Sequence, residues 1–98
     1  MLSIVILGTG NIAKHLVGVL SKVKEVRLAQ VVGRNQEQLL WFSGFAPISA
    51  DFELVMEADV YLIAVKDDAI VEVSKHLSDK KGIVAHVSGA TPMNSLPM

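Results

Sequence analysis

Ser3-Ile4-Val5-Ile6-Leu7-Gly8-Thr9-Gly10-Asn11-Ile12-Ala13 decides the fold. An apolar run ends in Gly-x-Gly, and a helical pattern begins at once. The first glycine permits a tight turn. The second lets a diphosphate approach the backbone without meeting a Cβ, and the N–H groups that open the helix then face the anion. The third small position, here Ala13, lets helix and strand pack closely. Glycine pairs open many turns, so Gly-x-Gly-x-x-Ala means little alone; its place between a strand-like run and a helix-like run gives it weight. Gly8, Thr9, Gly10, Asn11 and Ile12 are therefore candidate contacts for a dinucleotide's diphosphate.

The same alternation continues outward. Leu2–Leu7 reads as a central strand, β-prone and apolar but for Ser3. In the helix from Asn11, the spacing of Ile12, Leu16, Val19, Leu20 and Val23 predicts one buried stripe. Val26–Val32 is a second strand, followed by Gly33-Arg34-Asn35. Asn35 reads as the N-cap of a second helix, with Gln38 completing a capping box and Gly44 ending the helix. Trp41 and Phe42 read as core or partner packing rather than as a stacking platform for a base. A short strand is expected over 47–49, then a helical turn over 52–57 capped by Asp51. Residues 59–65 form a fourth strand. Asp67 and Asp68 open a helix that runs to Leu77, and the acids suit the positive end of its dipole. Residues 82–87 form a fifth strand, with an irregular tail to Met98.

Strands alternating with helices predict an α/β domain: a doubly wound parallel sheet with right-handed crossovers and strand order 3-2-1-4-5. Its ligand crevice lies at the carboxyl ends of strands 1 and 4. Ninety-eight residues make one domain, 1–98. The chain is 51% hydrophobic and 19% charged, with mean hydropathy +0.46. That suits a sheet buried on both faces, or a domain that hides more surface against a partner. A net charge of −1 argues against a general nucleic-acid binder. The absence of cysteine excludes disulfides, thiolate metal sites and a cysteine nucleophile. His15, His76 and His86 are too scattered to predict a metal site. The first apolar run is too short for a bilayer and lacks a basic leader, so the expectation is no membrane and a cytoplasmic location.

Four strand ends should meet at the crevice: the glycine turn, Gly33-Arg34-Asn35, Val65-Lys66-Asp67 and Ser88-Gly89. The second is the most informative. Domains that prefer NAD usually place Asp or Glu there to take the ribose hydroxyls, and this chain has none. Arginine can pair with a 2′-phosphate and lie over adenine. Such a charge-assisted contact is worth roughly 1.5–3 kcal/mol. The expected cofactor is therefore NADP, with Arg34 as the 2′-phosphate partner rather than an ordinary solvated turn residue. Asn35 can both cap the helix and touch the phosphate. Lys66 reads equally as a contact to the cofactor and as a solvated rim lysine. Capping explains Asp67 and Asp68 better than acid–base chemistry. For His86, a hydrogen-bonded place in the core is expected over a catalytic one.

These segments, with Ala58 to Ile70 and His86 to Ala90, resemble the N-terminal NADP-binding domain of the 6-phosphogluconate dehydrogenase-like superfamily. Pyrroline-5-carboxylate reductase and the deazaflavin-dependent NADP oxidoreductases are similar, as are bacterial candidate oxidoreductases in which a helical domain follows. The resemblance implies a Rossmann-type fold and hydride transfer between NADP and a small substrate. It matches Gly8, Gly10, Asn11 and Ile12 to the diphosphate turn, and Arg34 and Asn35 to the 2′-phosphate site. Val65, Lys66 and Asp67 match the turn lining the nicotinamide side, and Ser88 and Gly89 the turn near the reacting ring. Relatives continue into a helical domain that closes the substrate site and usually dimerises. This chain is expected to bind without turning over by itself, and no residue in it is assigned a catalytic role. A nucleotide-sensing regulatory module and an interaction domain without catalysis are the other two readings of the same residues.

Overall fold

The computed structural model describes residues 2–64 and 73–87. Their elements are β1 (Leu2–Leu7), α1 (Asn11–Leu20), β2 (Val26–Val32), α2 (Gln36–Phe42), β3 (Ile48–Ser49), a 3-10 turn (Phe52–Leu54), β4 (Val60–Ile63) and β5 (Ile83–His86). The strands form one sheet in the order β3-β2-β1-β4-β5, and every pairing is parallel. This is the doubly wound order expected from the alternation.

β1 is apolar at every position from Ile4 to Leu7 because both of its faces are covered. Ile4 and Ile6 join Ala13 and Val17 of α1 and Leu39 and Phe42 of α2 in one layer. Val5 and Leu7 join Phe52, Val55, Tyr61, Val73 and Leu77 in the other. β2 carries an irregularity. Ile4 pairs with Leu28 but Val5 pairs with Gln30, so Ala29 has no partner of its own. This is a β-bulge. It places Ala29 and Gln30 on the same side of the sheet. Buried Gln30 donates to Leu54 O at 3.2 Å and accepts from Met56 N at 2.9 Å, so it anchors the chain after the 3-10 turn.

Several boundaries differ from expectation. The buried face of α1 centres on Ala13 and Val17, with Ile12, Leu16 and Leu20 beside it. Val19 and Val23 are exposed instead. The small Ala13 sets the helix rotation, because it lets α1 close onto β1, and Val17 follows one turn later. α2 ends at Phe42 with Ser43 as its C-cap rather than at Gly44. Phe42 is core, as expected, while Trp41 lies near the surface with its ring 5.2 Å from Phe45. The Asp51 carboxylate accepts from Glu53 N at 2.9 Å and caps the helical turn. That turn stops at Leu54, because Val55 turns extended and Met56 N is drawn to Gln30. Val73 to Lys75 are helical, and Val73 and Leu77 are buried as the periodicity predicts. Asp67 and Asp68 lie outside the described residues. His86 is exposed rather than held in the core, because β5 is an edge strand with little cover on either face.

Candidate functional site

The carboxyl ends of β1 and β2 enclose a cleft of about 400 Å³. Gly8, Thr9, Gly10, Gly33, Arg34 and Asn35 line it, all six of them expected from the sequence. Gly8 has φ 130°, a backbone conformation in which a Cβ would be strained. Its N–H donates to Val32 O at 2.7 Å and ties the turn to β2. The neighbouring strand is joined in the same way, Ala64 N donating to Leu7 O at 2.7 Å.

Gly10 is the N-cap of α1, with extended backbone and no side-chain cap. No acid occupies the first turn of α1, so the positive end of its dipole is not neutralised there. Among the described residues beyond its own chain neighbours, a Cβ added at Gly10 would meet no atom within 4 Å. Packing among the described residues therefore does not explain this glycine. A side chain there would stand in open space beside the first turn of α1, where an anion would approach the backbone.

Gly33 has a different reason. A Cβ there would collide with the Thr9 methyl. The Thr9 methyl thus lies against the bare Gly33 backbone, and the Thr9 hydroxyl donates to Gln38 Oε1 at 2.7 Å. Asn35 caps α2 as predicted, its Oδ1 accepting from Gln38 N at 3.1 Å. The predicted capping box does not close through the Gln38 side chain. Its oxygen goes to Thr9, on another element.

Arg34 lies at the junction between this cleft and a second recess of about 560 Å³. Its guanidinium carbon is 5.7 Å from the Phe52 ring centroid. His76 stacks on the same ring at 5.8 Å and 29°. Asp51 and Glu53 also line the recess. The sequence reading did not bring Gln38, Phe52 or His76 to the site. Gln38 follows Arg34 by one helical turn, which is the signal that was available. Phe52 and His76 have no counterpart signal, since tertiary packing alone brings them together.

Asn11 and Ile12 open α1 but do not wall the cleft. Asn11 is exposed, and Ile12 packs in the layer beneath the helix. Val65, Lys66, Asp67, Ser88 and Gly89 lie outside the described residues. Among the described residues, no three His, Asp or Glu side chains gather to hold a metal, and no helix is long and apolar enough to cross a membrane. Among the described residues two groups titrate away from their ordinary ranges, and neither lines the cleft. Asp59 is lowered, first by the Ser3 backbone N–H at 2.9 Å and then by the Ser3 hydroxyl at 3.0 Å. Tyr61 is raised, chiefly by burial.

A parallel sheet of this order, with a positive-φ glycine turn opening onto a helix, makes this a Rossmann-type domain of the kind found in oxidoreductases. The chain belongs to the family described as NADP oxidoreductase coenzyme F420-dependent, whose model matches residues 3–89. Among solved structures it is similar to a candidate NADP oxidoreductase from Bacteroides fragilis, with TM-score 0.81 and 29% identity over 96% of this chain and 38% of that one. It shares its fold with prephenate dehydrogenase from A. aeolicus, in complex with hydroxyphenyl propionate and NAD+, with TM-score 0.78, 17% identity, and 90% and 34% of the two chains covered. Scyllo-inositol dehydrogenase from Lactobacillus casei, with bound NAD(H) and scyllo-inositol, gives TM-score 0.75 and 16% identity over 88% and 27%. The chain thus spans well under half the length of each of these three. No curated protein matches it.

Proposed function

We propose that residues 1–98 form the NADP-binding domain of an oxidoreductase, working in the cytoplasm on a small-molecule substrate. One observation carries the choice of NADP. The cleft's wall at the end of β2 is Gly33, Arg34 and Asn35, with no carboxylate to take a ribose diol. The open space at Gly10 and the first turn of α1 fit the diphosphate, and Arg34 and Asn35 fit the 2′-phosphate. Val65, Lys66 and Asp67 would line the nicotinamide side, and Ser88 and Gly89 would approach the reacting ring. When bound, the nicotinamide supplies or accepts the hydride. The residues of this chain bind and orient it. A second domain would close the substrate site and join two subunits, in keeping with the small share of the solved relatives that this chain covers.

The test is a titration of the chain with NADPH and NADH, followed by calorimetry or by nicotinamide fluorescence. NADPH should bind more tightly. Arg34→Asp should weaken NADPH by tens of fold and NADH far less. Equal losses for both would defeat the 2′-phosphate assignment. No binding of either at millimolar concentration would defeat the whole reading.

A further inference from the structure

α1 and α2 cover the same face of the sheet, and a groove of about 750 Å³ lies between their outer surfaces. Val19, Trp41 and Phe45 line it and stay 50%, 45% and 45% exposed. The Trp41 ring is fixed in place. It meets the buried Phe42 ring edge-on at 4.9 Å and stacks on Phe45 at 5.2 Å. Gly18 also lines the groove, from inside α1. Glycine weakens a helix interior relative to alanine. Among the described residues, beyond its neighbours in α1, a Cβ at Gly18 would meet nothing within 4 Å, so packing within them does not require this glycine. A chain laid in the groove would use it, because the α1 backbone is bare there. The charge around the groove has one sign. His15 and Lys22 line it, and Lys14 Nζ stands 5.5 Å from the Trp41 ring centroid. Among the described residues no Asp or Glu lines it; Glu37, one turn before Trp41 on α2, stays outside.

We infer that this groove docks an acidic amphipathic helix of a partner protein. Apolar side chains at i, i+3, i+4 and i+7 of that helix enter between Val19, Trp41 and Phe45, and the carboxylates beside them face Lys14, His15 and Lys22. Trp41 is the anchor on this side, a rigid ring already ordered before docking. The bare backbone at Gly18 lets the partner helix cross α1 closely. Other occupants fit less well. A second copy docked on the same face about a two-fold axis would set these three basic residues against their own counterparts. Residues 88–98 carry no acid to answer them. A bilayer surface is flat, whereas the aromatic and basic groups here border a concavity. None of the groove residues lines the cleft at the ends of β1 and β2, so the inference stands apart from the NADP reading.

Trp41 is the chain's only tryptophan, so its emission reports on the groove directly. The probe is a synthetic helical peptide with leucine at i, i+3, i+4 and i+7, glutamate elsewhere, and no tryptophan or tyrosine. Titrated into the chain, it should shift Trp41 emission to the blue. It should bind at least tenfold more tightly than the same peptide with lysine in place of glutamate. The double variant Lys14→Glu, Lys22→Glu should invert that preference. Gly18→Leu fills the groove with a good helix former and should weaken the acidic peptide tenfold or more. Thermal melts check that both variants fold, and the preference of the wild type between the two peptides needs no variant at all. Equal binding of the two peptides, or no emission change with either at millimolar concentration, overturns the inference. Three further results overturn it by handing the groove to another occupant. These are a wild-type dimer in sedimentation that Gly18→Leu disperses, tighter binding of a peptide of residues 88–98 than of the acidic one, and binding to vesicles of phosphatidylcholine and phosphatidylglycerol in preference to the acidic peptide.

Discussion

Gly10→Val separates fold from binding more cleanly than any other single change. Among the described residues beyond its chain neighbours, nothing lies within 4 Å of a Cβ at Gly10, and its backbone is already in a conformation open to any residue. The folded chain can therefore carry valine without a clash. The cost is the poorer N-cap, about 1 kcal/mol. For a domain of this size that lowers Tm by roughly 4–8 °C. Binding should suffer more. The side chain would stand where the diphosphate meets the first turn of α1. Losing one or two charge-assisted hydrogen bonds of about 1.5–3 kcal/mol each weakens affinity by roughly one to four orders of magnitude. Gly18→Ala is the matched control, because its Cβ also meets nothing within 4 Å but lies inside α1 and away from the cleft. It should gain up to about 1 kcal/mol of stability from helix propensity and leave binding alone. The assay is NADPH titration beside a thermal melt for each variant. A folded Gly10→Val chain that binds NADPH within threefold of wild type would refute the placement of the diphosphate.

Gly33→Ala should force the Thr9 methyl aside and cost about 1–3 kcal/mol as overpacking; in a chemical denaturation series, Thr9→Ser in the same chain should recover most of the loss by removing that methyl. Tyr61→Phe should cost about 1–3 kcal/mol, since the buried hydroxyl accepts from Ala58 N at 2.7 Å and donates to Met56 O at 3.1 Å; an unchanged melt would show that water takes over both partners. Asp59 predicts an acid limb. Its pKa is lowered in the fold from 3.8, so its contribution is present above that value and lost as pH falls through the lower folded one. Melts of Asp59→Asn from pH 6 to pH 2 should be flatter than wild type over the acid end, and identical slopes would remove Ser3 and Asp59 from the account.

Much of the architecture could be read directly because both faces of the sheet are covered. Ile4–Leu7 is apolar without alternation, which marks a strand covered on both faces, and the strand order follows from the right-handed crossovers. The rotation of α1 was harder to read. Val19 and Val23 carry the same apolar chemistry as Val17, and only close contact at Ala13 selects the buried side. Three residues show where local pattern gives out. Gln38 has the right spacing to serve its own helix, yet its oxygen crosses to Thr9, which is 29 positions away. His86 sits in a β-prone run whose edge position no periodicity reveals. Phe52 reaches Arg34 only because Gln30 anchors the segment after it.

The unpaired Ala29 has a consequence for comparing cofactor preference across related chains. β2 takes one more residue than β1 to reach the crevice, so the interval from the glycine turn to Arg34 contains a position that adds length without moving the strand's end. A relative with a regular second strand would deliver its discriminating side chain to the same point in space one residue earlier in sequence. Counting a fixed interval from Gly10 would then assign the wrong residue to the ribose, and in this chain would read Gly33 where the guanidinium of Arg34 stands. Alignments that infer NAD or NADP preference in this family should therefore be anchored on the paired residues Val5–Gln30 and Leu7–Val32, with the gap allowed at Ala29.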